Sequence, residues 1–360
     1  MTRREYMIKQ KEGKGRRLFG IFPAQYPREI LWAMNVVPLE IWDPPLEVSH
    51  ANAHLQPYIC SVAKLGLELI MQGKCDDLDG FLFPHTCDSI QNLASIVHDC
   101  LGLKKPCYFF YHPKEPYKES SRSYYQEQLK SLVAALESQL GSLNLDELKR
   151  RIWQGQRISM LLQKLYDRRA RGKLAVSNMD FYRMVRLGEY LFPDDFIPEL
   201  EAFLARSEGE AKGRHTSVIL SGVMPNPPGI LTFLDNLRVM VAHDDFMVGS
   251  RRLFNPPGDL TDPFEQLTEC YFRMPPCSTK ASSIARRRDY LFRMIEATDA
   301  RGVIFYMVKF CEPEWFDIPN LVDELRKRGT RALVLETELN QGFSGQVANR
   351  VEAFMEMIGL

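Results

Sequence analysis

The run Gly80-Phe81-Leu82-Phe83-Pro84 is apolar throughout, and an amphipathic stretch follows it from Asp88. A strand with one wet face alternates apolar and polar residues; a strand covered on both faces does not. Val303 to Phe310 reads the same way, and further strands are read at Arg17 to Phe22, Val36 to Trp42, Pro106 to Tyr111, Val218 to Val223, Val239 to His243 and Ala332 to Glu336. Between these runs lie segments with helical spacing. Pro27 opens one through Met34, as proline does in a first helical turn. Others cover Ser61 to Gln72, with Val62, Leu65, Leu69 and Ile70 on one side, Asp88 to Leu101, Ile230 to Arg238, Ser282 to Ala297, Ile318 to Lys327, and a last one through Met357. Alternating strands and helices predict an α/β chain with parallel sheets beneath helices.

The alternation is interrupted once. Tyr124 to Leu140 and Leu145 to Arg171 read as long helices, with shorter ones over Ser177 to Leu191 and Asp195 to Arg206. Gly141, Gly172 and Pro193 separate them. The polar, Gly-bearing stretch from Ser207 to His215 reads as a linker. At 360 residues the chain exceeds one ordinary core. The expected organisation is two doubly wound α/β domains, 1–120 and 209–360, with a helical segment over 121–208. The two halves are candidates for structural repeats.

Composition narrows the function classes. Lys plus Arg (46) equals Asp plus Glu (46). A balanced charge argues against binding nucleic acid, whose affinity comes from neutralising phosphates, and against a polybasic membrane-surface protein. Lys14-Gly15-Arg16-Arg17 is a short basic cluster, read as a solvated face. No apolar segment near the start resembles a signal peptide, and no run reaches the ~18 residues of a membrane span. The expectation is a cytoplasmic protein with reduced thiols. No Cys-x-x-Cys occurs, which excludes zinc ribbons and thioredoxin-type pairs. Neither Gly-x-x-x-x-Gly-Lys-Ser/Thr nor Gly-x-Gly-x-x-Gly is present, so no ATP P-loop or Rossmann fingerprint is found. A Gly-x-Ser-x-Gly elbow is also absent.

Three of the eight cysteines stand at the ends of apolar, strand-like runs that lead through a turn into a helix: Cys60 after His54 to Ile59 and before Ser61, Cys87 after Phe81 to Thr86 and before Asp88-Ser89, and Cys311 after Phe305 to Phe310 and before Glu312-Pro313. Ligands of α/β proteins gather at the carboxyl ends of the strands. A thiolate at a helix N-terminus is stabilised by the dipole and free N–H groups. Three soft ligands from distant segments suggest an iron–sulfur cluster. Their spacing matches no local cluster motif, and a free cysteine is commonly just a small buried apolar side chain. That plain role suits Cys100, inside a helix, and Cys107, in a strand. Cys75 reads as a surface thiol. Cys270 and Cys277 flank Tyr271 to Pro276 and read as core, with extra ligation the alternative. His85, two residues before Cys87, is a candidate for tuning a site or moving protons, against a structural hydrogen bond. Asp244-Asp245, at a strand end, reads as a loop cap, with metal binding the alternative. Gly342-Phe343-Ser344-Gly345-Gln346 offers either an anion-binding turn or a plain strand-to-helix turn.

Several of these stretches together carry a family pattern. They are Phe83 to Ser89, Gly302 to Pro313, Asp244-Asp245-Phe246 with Gly249-Ser250-Arg251, and Leu335 to Glu338 with Ser344-Gly345-Gln346 and Arg350 to Phe354. From about Phe19 to Leu360 the chain resembles the 2-hydroxyacyl-CoA dehydratase and benzoyl-CoA reductase family. The resemblance implies two flavodoxin-like domains with a helical insertion. It implies a 4Fe–4S cluster held by Cys60, Cys87 and Cys311, with one iron left open. It implies a homologous second subunit, and a separate ATP-dependent activator with its own iron–sulfur cluster. The substrate would be an acyl-CoA, reduced to a ketyl radical that expels the 2-hydroxyl group, or an aromatic ring that keeps the electrons. His85 and Ser344 are candidate catalytic residues. The chain could instead serve as electron relay or scaffold beside a substrate-binding homologue. A branch of the family carries a double-cubane cluster, for which Cys100, Cys270 or Cys277 would have to supply further ligands.

Overall fold

The computed structural model describes residues 2–23, 25–210, 216–258 and 260–359. A short helix, α1 (Arg3–Ile8), is closed by a capping box between Thr2 and Glu5. A wider turn over Lys9–Gly13 leads to β1 (Arg17–Ile21). Then come α2 (Arg28–Ala33), β2 (Val36–Glu40), α3 (Ser61–Met71), β3 (Gly80–Pro84), α4 (Asp88–Ser95) and β4 (Cys107–Phe110). These four strands are parallel, in the order β2-β1-β3-β4. All five residues of β2 and of β3 are buried, as the apolar run of β3 requires; the one charge among them, Glu40 of β2, accepts from Tyr26, Arg28 and Trp42.

Four helices follow: α5 (Ser120–Leu140), α6 (Leu145–Ala170), α7 (Asn178–Leu187) and α8 (Pro193–Arg206). Tyr125, Leu129, Leu132 and Leu136 of α5 join Phe19, Leu82 and Phe110 in one core. Ser207 and Glu208 are tied back to Ala175 and Leu174. The rest of the expected linker, 211–215, lies outside the described residues.

The chain continues through β5 (Thr216–Gly222), α9 (Gly229–Asn236), β6 (Val239–Phe246), α10 (Pro263–Phe272), α11 (Ile284–Thr298), β7 (Gly302–Val308), α12 (Glu312–Trp315), α13 (Ile318–Lys327), β8 (Arg331–Thr337) and α14 (Gly345–Met357); the four strands form a second sheet, while α10 returns Leu267 and Tyr271 to the core of the first. The order of this second sheet, β6-β5-β7-β8, is again fully parallel. In each sheet the first strand sits inside, the second on one side of it, and the third and fourth on the other. The two halves therefore share one topology.

The chain divides into two compact units, one of residues 1–159, 187–198 and 254–274, the other of 160–186, 199–253 and 275–360. No helix among the described residues is long and apolar enough to cross a membrane.

Candidate functional site

In a doubly wound sheet the chain leaves its first and third strands in opposite directions, opening a crevice at their carboxyl ends. Cys87 lies three residues beyond Pro84, the last residue of β3. Cys311 lies three residues beyond Val308, the last of β7. Each is the N-cap of the next helix, Cys87 of α4 and Cys311 of α12. Cys60 is the N-cap of α3, but the run before it, 54–59, forms turns and not the expected strand, since its polar and proline residues pair with no neighbouring strand. The three candidate ligands thus occupy one kind of position.

Cys60 and Cys87 belong to the same unit, and their charges interact. The Cys60 sulfur faces the N–H groups of Ala63 and Val62, but its burial is complete enough to push the thiol up. Burial, together with a charge on Cys60, pushes Cys87 up to about 12, against the N–H groups of Ile90 and Ser89. Two thiols directed at helix N-termini thus stay protonated unless a cation joins them.

The surroundings of both cysteines are anchored. Thr86 Oγ1 donates to Pro23 O (2.6 Å), and Lys114 Nζ donates to His85 O (2.9 Å) and Thr86 O (3.2 Å). Behind Cys60, the buried Glu68 carboxylate accepts from Ser49 N, Ala51 N, Ser49 Oγ and Gln72 Nε2, and pairs with His50 Nδ1 at 2.8 Å. Burial alone would raise its pKa; the Ala51 N–H and the His50 and Gln72 side chains hold it well below the usual range. It ties the 49–51 segment to α3. Gly66 of that helix admits the Phe22 ring, whose Cε1 would lie 2.5 Å from any Cβ there.

His85 is half-buried, edge-on to Tyr111, with Nε2 3.8 Å from Asp88 Oδ1. Burial and then Lys114 lower its pKa, so it is neutral near pH 7. Ser344 is the N-cap of α14, accepting from Val347 N (3.2 Å). It borders a cavity of about 350 Å³ with Tyr306, Lys309, Thr337 and Glu338, at the carboxyl ends of β7 and β8. Asp244 is a loop cap, as expected: Oδ1 accepts from Phe246 N and Ser250 N, and Oδ2 from Tyr166 and Tyr182 hydroxyls. Asp245 instead enters a buried ion cluster with Arg251, Arg287 and Glu314.

Among the other cysteines, Cys75 and Cys100 depart from their sequence reading, whereas Cys270 and Cys277 are buried in the core as read. Cys75 is buried, not a surface thiol, because the turn that ends with Leu78 N bonded to Cys75 O folds it under. Cys100 is exposed: a wider turn over Ile96–Cys100 replaces the end of α4 and rotates the later side chains. Cys107 is half-buried. Cys270 is buried and approached by Gln156 Nε2 (3.9 Å). Cys277 is buried between Thr279 Oγ1 (3.1 Å) and Arg251 Nη1 (3.7 Å). Among the described residues, no three His, Cys, Asp or Glu side chains are grouped as ligands of a metal ion.

Doubly wound sheets with helix-capping cysteines beyond their third strands define a ligand-gathering α/β protein of two matched halves. The model of the 2-hydroxyglutaryl-CoA dehydratase D-component matches residues 23–358, and the chain belongs to that family of enzyme subunits. It is 28% identical to a benzoyl-CoA reductase subunit of Thauera aromatica, over 96% of this chain and 92% of the relative. It is 24% identical to the (R)-phenyllactyl-CoA dehydratase beta subunit of Clostridium sporogenes, over 99% and 95%. With the beta subunit of (R)-2-hydroxyglutaryl-CoA dehydratase from Acidaminococcus fermentans the identity is 23%, over 98% and 95%.

Proposed function

We propose that this chain is the iron–sulfur subunit of an ATP-activated, radical-type enzyme acting on a CoA thioester, a 2-hydroxyacyl-CoA dehydratase or an aromatic acyl-CoA reductase. The observation that carries the reading is the shared position of Cys60, Cys87 and Cys311 at helix N-caps. The donor set suits a 4Fe–4S group. Cys60 and Cys87 have helix N–H groups ready for thiolates, yet burial keeps them protonated without a compensating cation. When bound, such a cluster supplies a low-potential electron, and three protein sulfurs leave one iron open to an exogenous oxygen ligand.

The chain's own part is to hold and shield. Glu68 fixes the loop leading to Cys60, and Thr86 and Lys114 fix the main chain before Cys87. Neutral His85 stands two residues from Cys87 and can donate or accept one proton near it. Since the relatives are all named as subunits, a homologous partner is part of the proposal. An ATP-dependent activator is another, given that the sequence carries no P-loop. The engagement of Cys277 by Arg251 and of Cys270 by Gln156 favours three ligands over a double cubane.

Anaerobic reconstitution with iron and sulfide tests the reading. A brown protein with roughly four iron per chain is expected. A chain that stays colourless and iron-free would overturn it.

A further inference from the structure

The turn that carries Cys311 is strained and leads into a very short helix. Phe310 lies in the left-handed region (φ 60°), where a side chain is strained. Helix α12 is only four residues long and receives no side-chain cap hydrogen bond; so short a helix does not persist unaided. Glu314 is its one fully buried residue, and it is charged.

The partners of Glu314 come from well-built parts of the same unit. Arg251 donates to both of its oxygens and forks onto Asp245 with contacts of 2.7 and 2.8 Å. Arg287 of α11 reaches Glu314 Oε2 (3.3 Å), Asp245 Oδ2 (3.2 Å) and Asp317 Oδ2 (2.6 Å). Ser221 of β5 completes Asp245, and Ser278 donates to Glu314. The main chain passes this anchorage on, since Glu314 N and Trp315 N both donate to Cys311 O. Trp315 Nε1 and Cys311 N in turn bond Val308 O at the end of β7.

We infer that Glu314 is a positioning residue for Cys311: held by Arg251 and Arg287, its carboxylate sets the first turn of α12 and thereby where the Cys311 sulfur stands. The inference rests on the proposed function only for what Cys311 would hold, and it can be tested with no iron present. In the iron-free full chain, the rate at which iodoacetamide modifies Cys311 is measured by mass spectrometry relative to exposed Cys100. Glu314→Gln is expected to raise this ratio at least fivefold. Glu314→Asp, which keeps the charge, is expected to return it to within twofold of the parent. Asn178→Ala, which disturbs a separate buried cluster of the same unit at Val239 and Val241, is expected to leave it unchanged. If Glu314→Gln does not fold, Ser278→Ala removes one hydrogen bond from Glu314, and at least a twofold rise is expected. A ratio unmoved by Glu314→Gln (or by Ser278→Ala in its place), an equal rise in Asn178→Ala, or an Asp variant as fast as the Gln variant would overturn the inference.

Discussion

Around Cys87 the chain is held by neutral and singly charged contacts to main-chain carbonyls: Thr86 to Pro23 O, Lys114 to His85 O and Thr86 O, His85 N to Phe110 O. Around Cys311 it is held by buried ionised side chains, Glu314 and Asp245 against Arg251 and Arg287. Both cysteines occupy the same position in the same topology. The lengths of the helices they cap account for the difference. Helix α4 runs eight residues and buries Ile90, Leu93 and Ala94, so packing fixes it. Helix α12 runs four and buries only Glu314. A turn too short to bury apolar area needs directional contacts, and charge pairs supply stronger ones than neutral hydrogen bonds.

The largest expected effect strikes the charged half. Arg251→Ala leaves Asp245 and Glu314 buried beside a single remaining arginine, which costs about 3–5 kcal/mol. Denaturant unfolding should show that loss, whereas the contacts around Cys87 contain no side chain whose removal costs as much. Acid separates two carboxylates from the neutral contacts. Burial would raise the pKa of Glu314, but Arg251 and Arg287 bring it down to about 2 from the usual 4.5. A depressed folded-state pKa contributes stability that is complete above 4.5 and lost as pH falls from there toward 2. Glu68 is shifted in the same direction in the other unit. Glu68→Gln and Glu314→Gln should each flatten the decline of stability below pH 4.5, followed by chemical denaturation at several pH values. Thr86→Ala removes one buried hydrogen bond, worth about 1 kcal/mol, and should loosen the approach to Cys87 while leaving Cys311 reactivity unchanged. Smallest is Ser344→Ala, which loses the cap of α14 at ~0.5–1 kcal/mol and should not alter iron content.

The strands were legible because burial on both faces writes an unbroken apolar run, as in Gly80–Pro84 and Gly302–Val308. Cys60 and Cys87 were legible as helix starts because each precedes a run with helical spacing, whereas Cys311 was placed by its likeness to Cys87, the four residues of α12 being too few to show a period. Glu68 leaves a trace of its own: a charged residue on the buried face of α3 must be paired. Helix α10 also has a local mark, Asp262 followed by Pro263 as N-cap and first residue. Glu314 has none, since its partners stand 63 and 27 residues away, and pairings at that range leave no periodic signal. Cys75 and Cys100 depart from their sequence reading because a turn and a change of helical pitch decide which way they face.

Iron bound per chain is the measurement closest to the central claim. The parent and the Cys60→Ala, Cys87→Ala and Cys311→Ala variants are reconstituted anaerobically under one protocol, then assayed for iron and acid-labile sulfide. The account predicts roughly four of each in the parent and a loss of most of both in every variant. Three variants that retain the iron of the parent would contradict it.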